Sequence, residues 1–156
     1  QTNNSIIEKY CYNNDEANCT TYGALYQWNE AMQYTNTEGS QGICPTGSHI
    51  PSDNDWKVLE MQLGMTQAQA DATGWRGTDQ GTQMKVGGNS GLNILFAGSR
   101  STGTTFNYIG IDDAVWTSST ASSTESYVRY FGSTTATIYR NPYNGANGFS
   151  VRCLKN

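Results

Sequence analysis

Between Tyr127 and Asn144 the chain reads YVRYFGSTTATIYRNPYN, five aromatic rings and two arginines among hydroxyl and amide side chains. Tyrosine gives a large contact area at low entropic cost and arginine a planar hydrogen-bonding fork, so this palette suits recognition of a ligand. On a strand across residues 135–139, alternation turns Ala136 and Ile138 toward a core and leaves Thr135, Thr137 and Tyr139 outward. On the strand before it, Tyr127, Arg129 and Phe131 share one face while Val128 and Tyr130 share the other, and both orientations stay open. Asn141 to Gly145 reads as a Pro and Gly turn that lifts Tyr143 and Asn144 into solvent. The candidate ligand-binding residues are therefore Tyr127, Arg129, Thr135, Thr137, Tyr139, Arg140, Asn141, Tyr143 and Asn144. The competing reading is ordinary strand chemistry, because Tyr and Thr are enriched in any sheet.

Other reactive side chains point away from catalysis. A Ser or Cys nucleophile needs a base, and the single histidine, His49, stands between a Pro and Gly turn and an expected helix, where a structural role fits better. No Asp or Glu stands in an apolar stretch that would raise its pKa, so paired carboxylates for acid and base work are not expected, and neither is an enzyme. Two acidic pairs exist: Asp53 with Asp55 reads as helix capping and dipole stabilisation, and Asp112 with Asp113 as a solvated turn. Calcium takes six to eight oxygen ligands, so neither pair makes a metal site by itself, and no cofactor is expected.

The four cysteines, Cys11, Cys19, Cys44 and Cys153, include no C-x-x-C pair and only one histidine to join them, which disfavours zinc. Four cysteines allow three disulfide connectivities; the favoured one joins Cys11 to Cys19 across a polar loop and Cys44 to Cys153 across most of the chain. Such bridges persist outside the reducing cytosol, so the expected location is extracellular or at the cell surface.

The elements that must position these residues follow from composition and periodicity. Of 156 residues, 14 are Ser, 19 Thr, 15 Asn and 17 Gly, and only 14% are charged, a balance that suits strands and long loops and excludes a helical bundle. The length fits one domain over residues 1–156. Tyr22 to Tyr34 places Leu25, Trp28 and Met32 on one helical stripe and predicts a first helix. Ser52 and Asp55 stand at capping spacing ahead of Trp56, Leu59 and Leu63, a second helix ended by Gly64, and Thr66 with Gln69 repeats the signal for a short third turn. From Asn93 onward, short pieces (NILFAG, AVWTSS, SYVRYF, ATIYR, GFSVRCL) separated by turn residues predict an antiparallel sheet, with Gly74 to Gly91 as a long Gly-rich loop before it. Of the four tryptophans, Trp28, Trp56 and Trp116 are expected in the core, whereas Trp75 beside Arg76 is expected to be exposed. The net charge is −4 with nine scattered Lys and Arg, which excludes nucleic acid as a partner, and no apolar run spans a bilayer, so the domain itself needs no membrane contact. The chain begins at Gln1 without Met, which predicts a processed or trimmed chain whose missing N-terminus has room for a signal or an anchor.

Five segments in order, Tyr22–Trp28 (YGALYQW), Ile43–Trp56 (ICPTGSHIPSDNDW), Ala97–Arg100 (AGSR), Trp116–Thr120 (WTSST) and Gly148–Lys155 (GFSVRCLK), resemble the successive signatures of the Fibrobacter succinogenes major paralogous domain. The resemblance implies an α+β, C-type-lectin-like fold, two helices packed on twisted antiparallel sheets with long loops, similar also to formylglycine-generating enzymes, on an exported bacterial protein. Ser48 departs from the family pattern, which commonly has an aromatic there. Trp116 to Asn156 is also similar to the variable region of proteins diversified by retroelements, which present changed side chains on such a scaffold. Lectin relatives that hold sugars through calcium carry carboxylates that Asn141-Pro142-Tyr143 and Val115-Trp116-Thr117 lack, and enzyme relatives carry a late redox cysteine pair where this chain has only Cys153. The expectation is an extracellular recognition module displaying a variable surface to a protein or glycan ligand on another cell or surface. The runner-up is a structural or adhesion domain of a surface lipoprotein or pilus.

Overall fold

Ser52 starts the longest helix as its spacing predicts: its hydroxyl accepts from the Asp55 N–H, and the Asp55 carboxylate accepts from the Ser52 N–H. The computed structural model describes residues 1–156. In chain order its helices are α1 (Glu16–Tyr22), α2 (Trp28–Ala31), α3 (Asp53–Gln62), α4 (Gln67–Asp71) and α5 (Gln80–Met84). Its strands are β1 (Ser48–His49), β2 (Gly74–Arg76), β3 (Ser99–Arg100), β4 (Phe106–Asn107), β5 (Asp112–Thr120), β6 (Glu125–Gly132), β7 (Ile138–Asn144) and β8 (Leu154–Lys155). The fold is α+β, with a four-stranded antiparallel sheet in the order β2-β7-β6-β5 and two small two-stranded sheets, β1-β8 and β3-β4. The Thr66–Gln69 capping box opens α4.

Several expectations need correction. The predicted helix over 22–34 survives only as the single turn α2: α1 has already ended at Tyr22 before Gly23, whose φ is positive (92°), and Leu25 and Tyr26 pair with Tyr10 and Phe149 before α2 begins. The stripe residues Leu25, Trp28 and Met32 are buried all the same. The predicted Gly-rich loop contains β2 and α5, and NILFAG supplies only isolated bridges at Ile94 and Gly98. The chain forms five short helices rather than two.

The main sheet separates two cores. On one face Trp56, Met84, Val115, Phe131 and Ile138 pack beneath α3 and α5. On the other, Trp28, Met32, Ile50, Trp116, Val128 and Phe149 pack beneath the N-terminal half. The polar run Thr117–Ser118–Ser119 of β5 is buried because it satisfies the chain around it: Ser118 Oγ accepts from the Gly39 N–H, Ser119 Oγ from the Asp53 N–H, and the Thr117 carbonyl from Trp28 Nε1. The disulfides join Cys11 to Cys19 and Cys44 to Cys153, the favoured pairing. Closing the long loop contributes roughly 4–5 kcal/mol in the chain-entropy picture.

Between α3 and the sheet lies a buried ion network. Asp53, Trp56 and Glu60 recur at helical spacing on one side of α3, so both carboxylates face the strands. Arg129 donates from Nη1 to Asp53 Oδ1 (2.7 Å) and from Nε to Glu60 Oε1 (2.6 Å). Arg140 grips Asp53 with two bonds (2.8 and 2.7 Å), and Arg76 reaches Glu60 at 2.9 Å. Burial alone would raise the Asp53 carboxyl; the hydrogen bonds and charges of Arg140 and Arg129 overcome it and hold the group well below the usual carboxylate range. Asp53 is therefore a network member, not only a residue of the helix's first turn.

Asp113 is the opposite case and overturns two readings. It is 3% exposed on β5, not in a solvated turn, and burial pushes its carboxyl well above the ordinary range despite a hydrogen bond from Ser150 Oγ (2.7 Å) and the nearby charge of Arg152. An acid in apolar surroundings thus exists, although its local sequence, IDDAV, does not announce it.

The two acids carry opposite pH signatures. The lowered Asp53 contributes stability that is present above the ordinary carboxylate pKa and lost as pH falls through its folded value; the raised Asp113 contributes stability that is present in acid and lost as pH rises through its folded value. In denaturant titrations across pH, Asp113→Asn is expected to remove the decline that sets in as pH rises above the ordinary carboxylate range, while leaving the acid-side loss of Asp53 in place. An unchanged decline over that range would contradict the assignment.

Candidate functional site

Pairing in the main sheet lines up one row of side chains across four strands. Trp75 on β2 stands opposite Tyr139 on β7, Tyr139 opposite Tyr130 on β6, and Tyr130 opposite Ala114 on β5. Directly paired residues share a face, so Trp75, Tyr139 and Tyr130 stand in one row of backbone positions, and their rings close into a compact triangle. Ring centroids are 5.3 Å apart for Trp75 and Tyr139, 6.3 Å for Tyr139 and Tyr130, and 6.0 Å for Trp75 and Tyr130. The rings meet at 57°, 76° and 82°, the tilted and edge-on contacts that aromatic quadrupoles favour.

This face is covered only on its β5 side. Ala114, Trp116 and Val128 lie under the N-terminal half, whereas Trp75, at the open side, is 49% exposed and Tyr139 is half-buried. Along β7 the same face continues through Asn141 to Tyr143, which packs edge-on against Phe149 at 5.7 Å. Tyr130 donates its hydroxyl to Asp112 Oδ2 at 2.5 Å; burial first, and then that hydrogen bond, raise its phenol. The Tyr143 and Tyr108 hydroxyls also bear on Tyr130, and Tyr108 is itself 57% exposed. The surface is uncharged apart from Asp112, rich in rings and hydroxyls, and built on strands rather than on free loops.

The predicted binding residues divide by this geometry. Tyr139, Asn141 and Tyr143 share the open face. Thr135 and Thr137 lie half-buried in the turn between β6 and β7, where α5 approaches so closely that a Cβ on Gly81 would sit 2.5 Å from the Thr137 carbonyl oxygen. Lys85 secures the same turn by donating to the Ser133 and Thr135 carbonyls. Asn144 is exposed at the far end of β7, beside a polar cleft of about 550 Å³.

Three predicted residues point the other way. Arg129 and Arg140 are buried, with relative exposures of 0% and 6%, and are committed to Asp53 and Glu60 on the inner face. Tyr127 shares their face and lies against the Arg140 guanidinium, 4.3 Å from ring centroid to Cζ. Two further corrections follow from the actual strand limits. Ala136 is exposed because the turn includes it, while Ile138 is buried as expected; and Asn141–Asn144 is the second half of β7, not a turn.

Trp75 is exposed as its Gly-rich context predicts, and the other three tryptophans are buried. Tyr130 was missed as a surface group because the faces of β6 remain undecided until its register is known. His49 engages Asn156 Oδ1 and, at 3.4 Å, Asp55 Oδ2, a bridge between the chain terminus and α3. Asp112 and Asp113 are consecutive on β5 and point to opposite faces, so they do not converge on one ion. Cys11 and Cys19 lie near Glu16, but their sulfurs are bonded to each other. No helix is long and apolar enough to cross a membrane.

A family model described as the Fibrobacter succinogenes major domain matches residues 1–155. No curated protein and no solved structure matches the chain.

Neighbouring residues on β7 should therefore respond oppositely to truncation. Arg140→Ala strips two charged hydrogen bonds from the buried Asp53 carboxylate, which keeps Arg129, and is expected to cost about 3 kcal/mol in denaturant unfolding. Tyr139→Ala gives up only ring contacts of roughly 0.5–1.5 kcal/mol and some half-buried area. Equal losses at the two positions would contradict the division of faces.

Proposed function

We propose, starting from a chain that belongs to the Fibrobacter succinogenes major domain family, that it is an extracellular recognition module on a C-type-lectin-like scaffold, with the row Trp75–Tyr139–Tyr130 as its contact surface. The observation that carries this reading is the alternation along β7. Inward residues are locked into ions and core, while Tyr139 and Asn141 lie half-exposed on the open face of a rigid sheet and Tyr143 rests on Phe149. A rigid support lowers the ordering cost of binding, and aromatic anchors supply most of the energy at protein interfaces.

A protein partner suits the surface better than a sugar ring. Adjacent rings meet at 57–82°, so they present edges and hydroxyls rather than a shared flat platform for stacking. The two disulfides and the family support an extracellular place of action.

The same alternation makes the segment suited to diversification by a retroelement. Tyr130, Tyr139, Asn141 and Tyr143 can change without touching the ion network, whereas Arg129 and Arg140 belong to it and Val128 and Ile138 belong to the two buried cores. Sibling genes from one locus are expected to vary at the first four positions and keep the last four; variation at Arg129 or Arg140 would count against it.

Binding itself is tested with fluorescently labelled domain on a panel of intact bacterial cells. Binding is expected to vanish after surface proteolysis of the cells and to weaken at least about tenfold in a Trp75→Ala/Tyr139→Ala double variant, whose melting temperature stays within a few degrees. Binding that survives proteolysis and is lost on periodate oxidation would replace the protein partner with a glycan. Binding unaffected by the double variant would overturn the surface assignment.

A further inference from the structure

A second site lies behind the C-terminal segment, on the opposite face of β5 from the aromatic row. It is a pocket of about 230 Å³ whose walls include Tyr26, Ile43, Ile94, Leu95 and Val151. Asp113 and Ser150 line it too, and so does Arg152. The Asp113 side chain receives a hydrogen bond from Ser150 Oγ and makes no ion pair. Arg152 is half-buried and donates from one nitrogen, Nη2, to the Leu92 carbonyl, which leaves most of its five donor hydrogens uncommitted.

An acid taken out of water without a counter-ion or a full set of hydrogen bonds is costly. Elsewhere in this fold Asp53 and Glu60 are paired with arginine, and the buried Glu30 accepts one hydrogen bond on each oxygen, from the Glu8 N–H and the Tyr34 hydroxyl. Asp113 has one side-chain hydrogen bond, from Ser150, and opens on a cavity. A ligand that completes the site has to bring a cation to Asp113. A cation alone also meets the positive charge of Arg152; an anion alone meets the buried carboxyl. The lining carries one group of each sign among mostly apolar walls, so the complementary ligand carries both charges and an apolar body. The volume admits a molecule of amino-acid size and not a folded partner.

We infer that this pocket binds a free α-amino acid with an apolar side chain, its ammonium on Asp113 and Ser150, its carboxylate toward Arg152, and its side chain against Ile43, Ile94 and Leu95. The site is independent of the aromatic row. Arg152 and the Tyr22 and Tyr26 phenols are the other titratable groups on its walls. Burial favours the protonated acid in the empty pocket, and an ammonium favours the carboxylate, so binding expels the proton from Asp113 to solvent. Affinity accordingly rises as pH rises toward the raised Asp113 value.

The test uses the intact domain with three probes: L-leucine, 3-methylbutylamine, which lacks the carboxylate, and 4-methylpentanoate, which lacks the ammonium. In amide NMR titrations L-leucine is expected to shift Ile94, Leu95 and Val151, and each analogue to bind about tenfold or more weakly, as loss of one charge-assisted hydrogen bond implies. Asp113→Asn should weaken leucine by a similar factor. Should that variant not fold, calorimetry of the unaltered domain in buffers of different ionisation enthalpy reads the expected proton release directly. No shift with leucine, an analogue that binds as tightly as leucine, or binding without proton release would each overturn the proposal.

Discussion

The interaction on which the rest of the structure depends is the buried network of Asp53 and Glu60 with Arg76, Arg129 and Arg140. Two of its arginines stand directly opposite each other on β6 and β7, a pairing of like charges that would repel on a bare sheet. The carboxylates of α3 bind both and convert the repulsion into a clamp. Such a network gains little over well-packed apolar side chains of the same volume, but it tolerates no slippage. A one-residue shift of β7 would carry Arg140 to the other face and leave Asp53 buried without it. The network ties one helix to three strands, and in doing so it fixes which side of β6 and β7 is outside.

From that constraint the two faces acquire separate tasks. The inner side of β7 offers Ile138 to the core and Arg140 to α3; the outer side offers Tyr139, Asn141 and Tyr143. Trp75 joins the outer row through its pairing with Tyr139, while Arg76, next in sequence, turns inward to Glu60. Adjacent residues on two strands are thus divided between holding the fold and facing outward. The long-range disulfide and the buried hydroxyls of β5 anchor the other side of the sheet, so the open side has a fixed frame behind it.

Much of this was legible in the sequence, for local reasons. Capping boxes are short-range signals, and both Ser52–Asp55 and Thr66–Gln69 open helices. The disulfide pairing, the buried tryptophans and the exposed Trp75 were legible too. What escaped depends on long-range partners. Arg129 and Arg140 look like surface recognition residues until Asp53 and Glu60, 76 and 69 positions away from Arg129, are placed beside them. The one clue was the seven-residue spacing of Asp53 and Glu60 on the Trp56 side of α3, where a solvated pair would not sit. Asp113 escaped because its burial comes from segments far along the chain, including Ile94 and Ser150. The first helix failed because the stripe of Leu25, Trp28 and Met32 reports burial, while Gly23 and the bridges at Leu25 and Tyr26 decide the backbone.

The central claim, that the ion network sets the register and frees the outer face, is tested most directly by saturation mutagenesis of residues 127–144 with protease resistance of the displayed domain as the readout. The account predicts a two-residue rhythm along β7, with Ile138 and Arg140 intolerant and Tyr139 and Asn141 tolerant, and with Arg129 on β6 among the least tolerant positions. Arg129 and Arg140 as permissive as Tyr139 would contradict it.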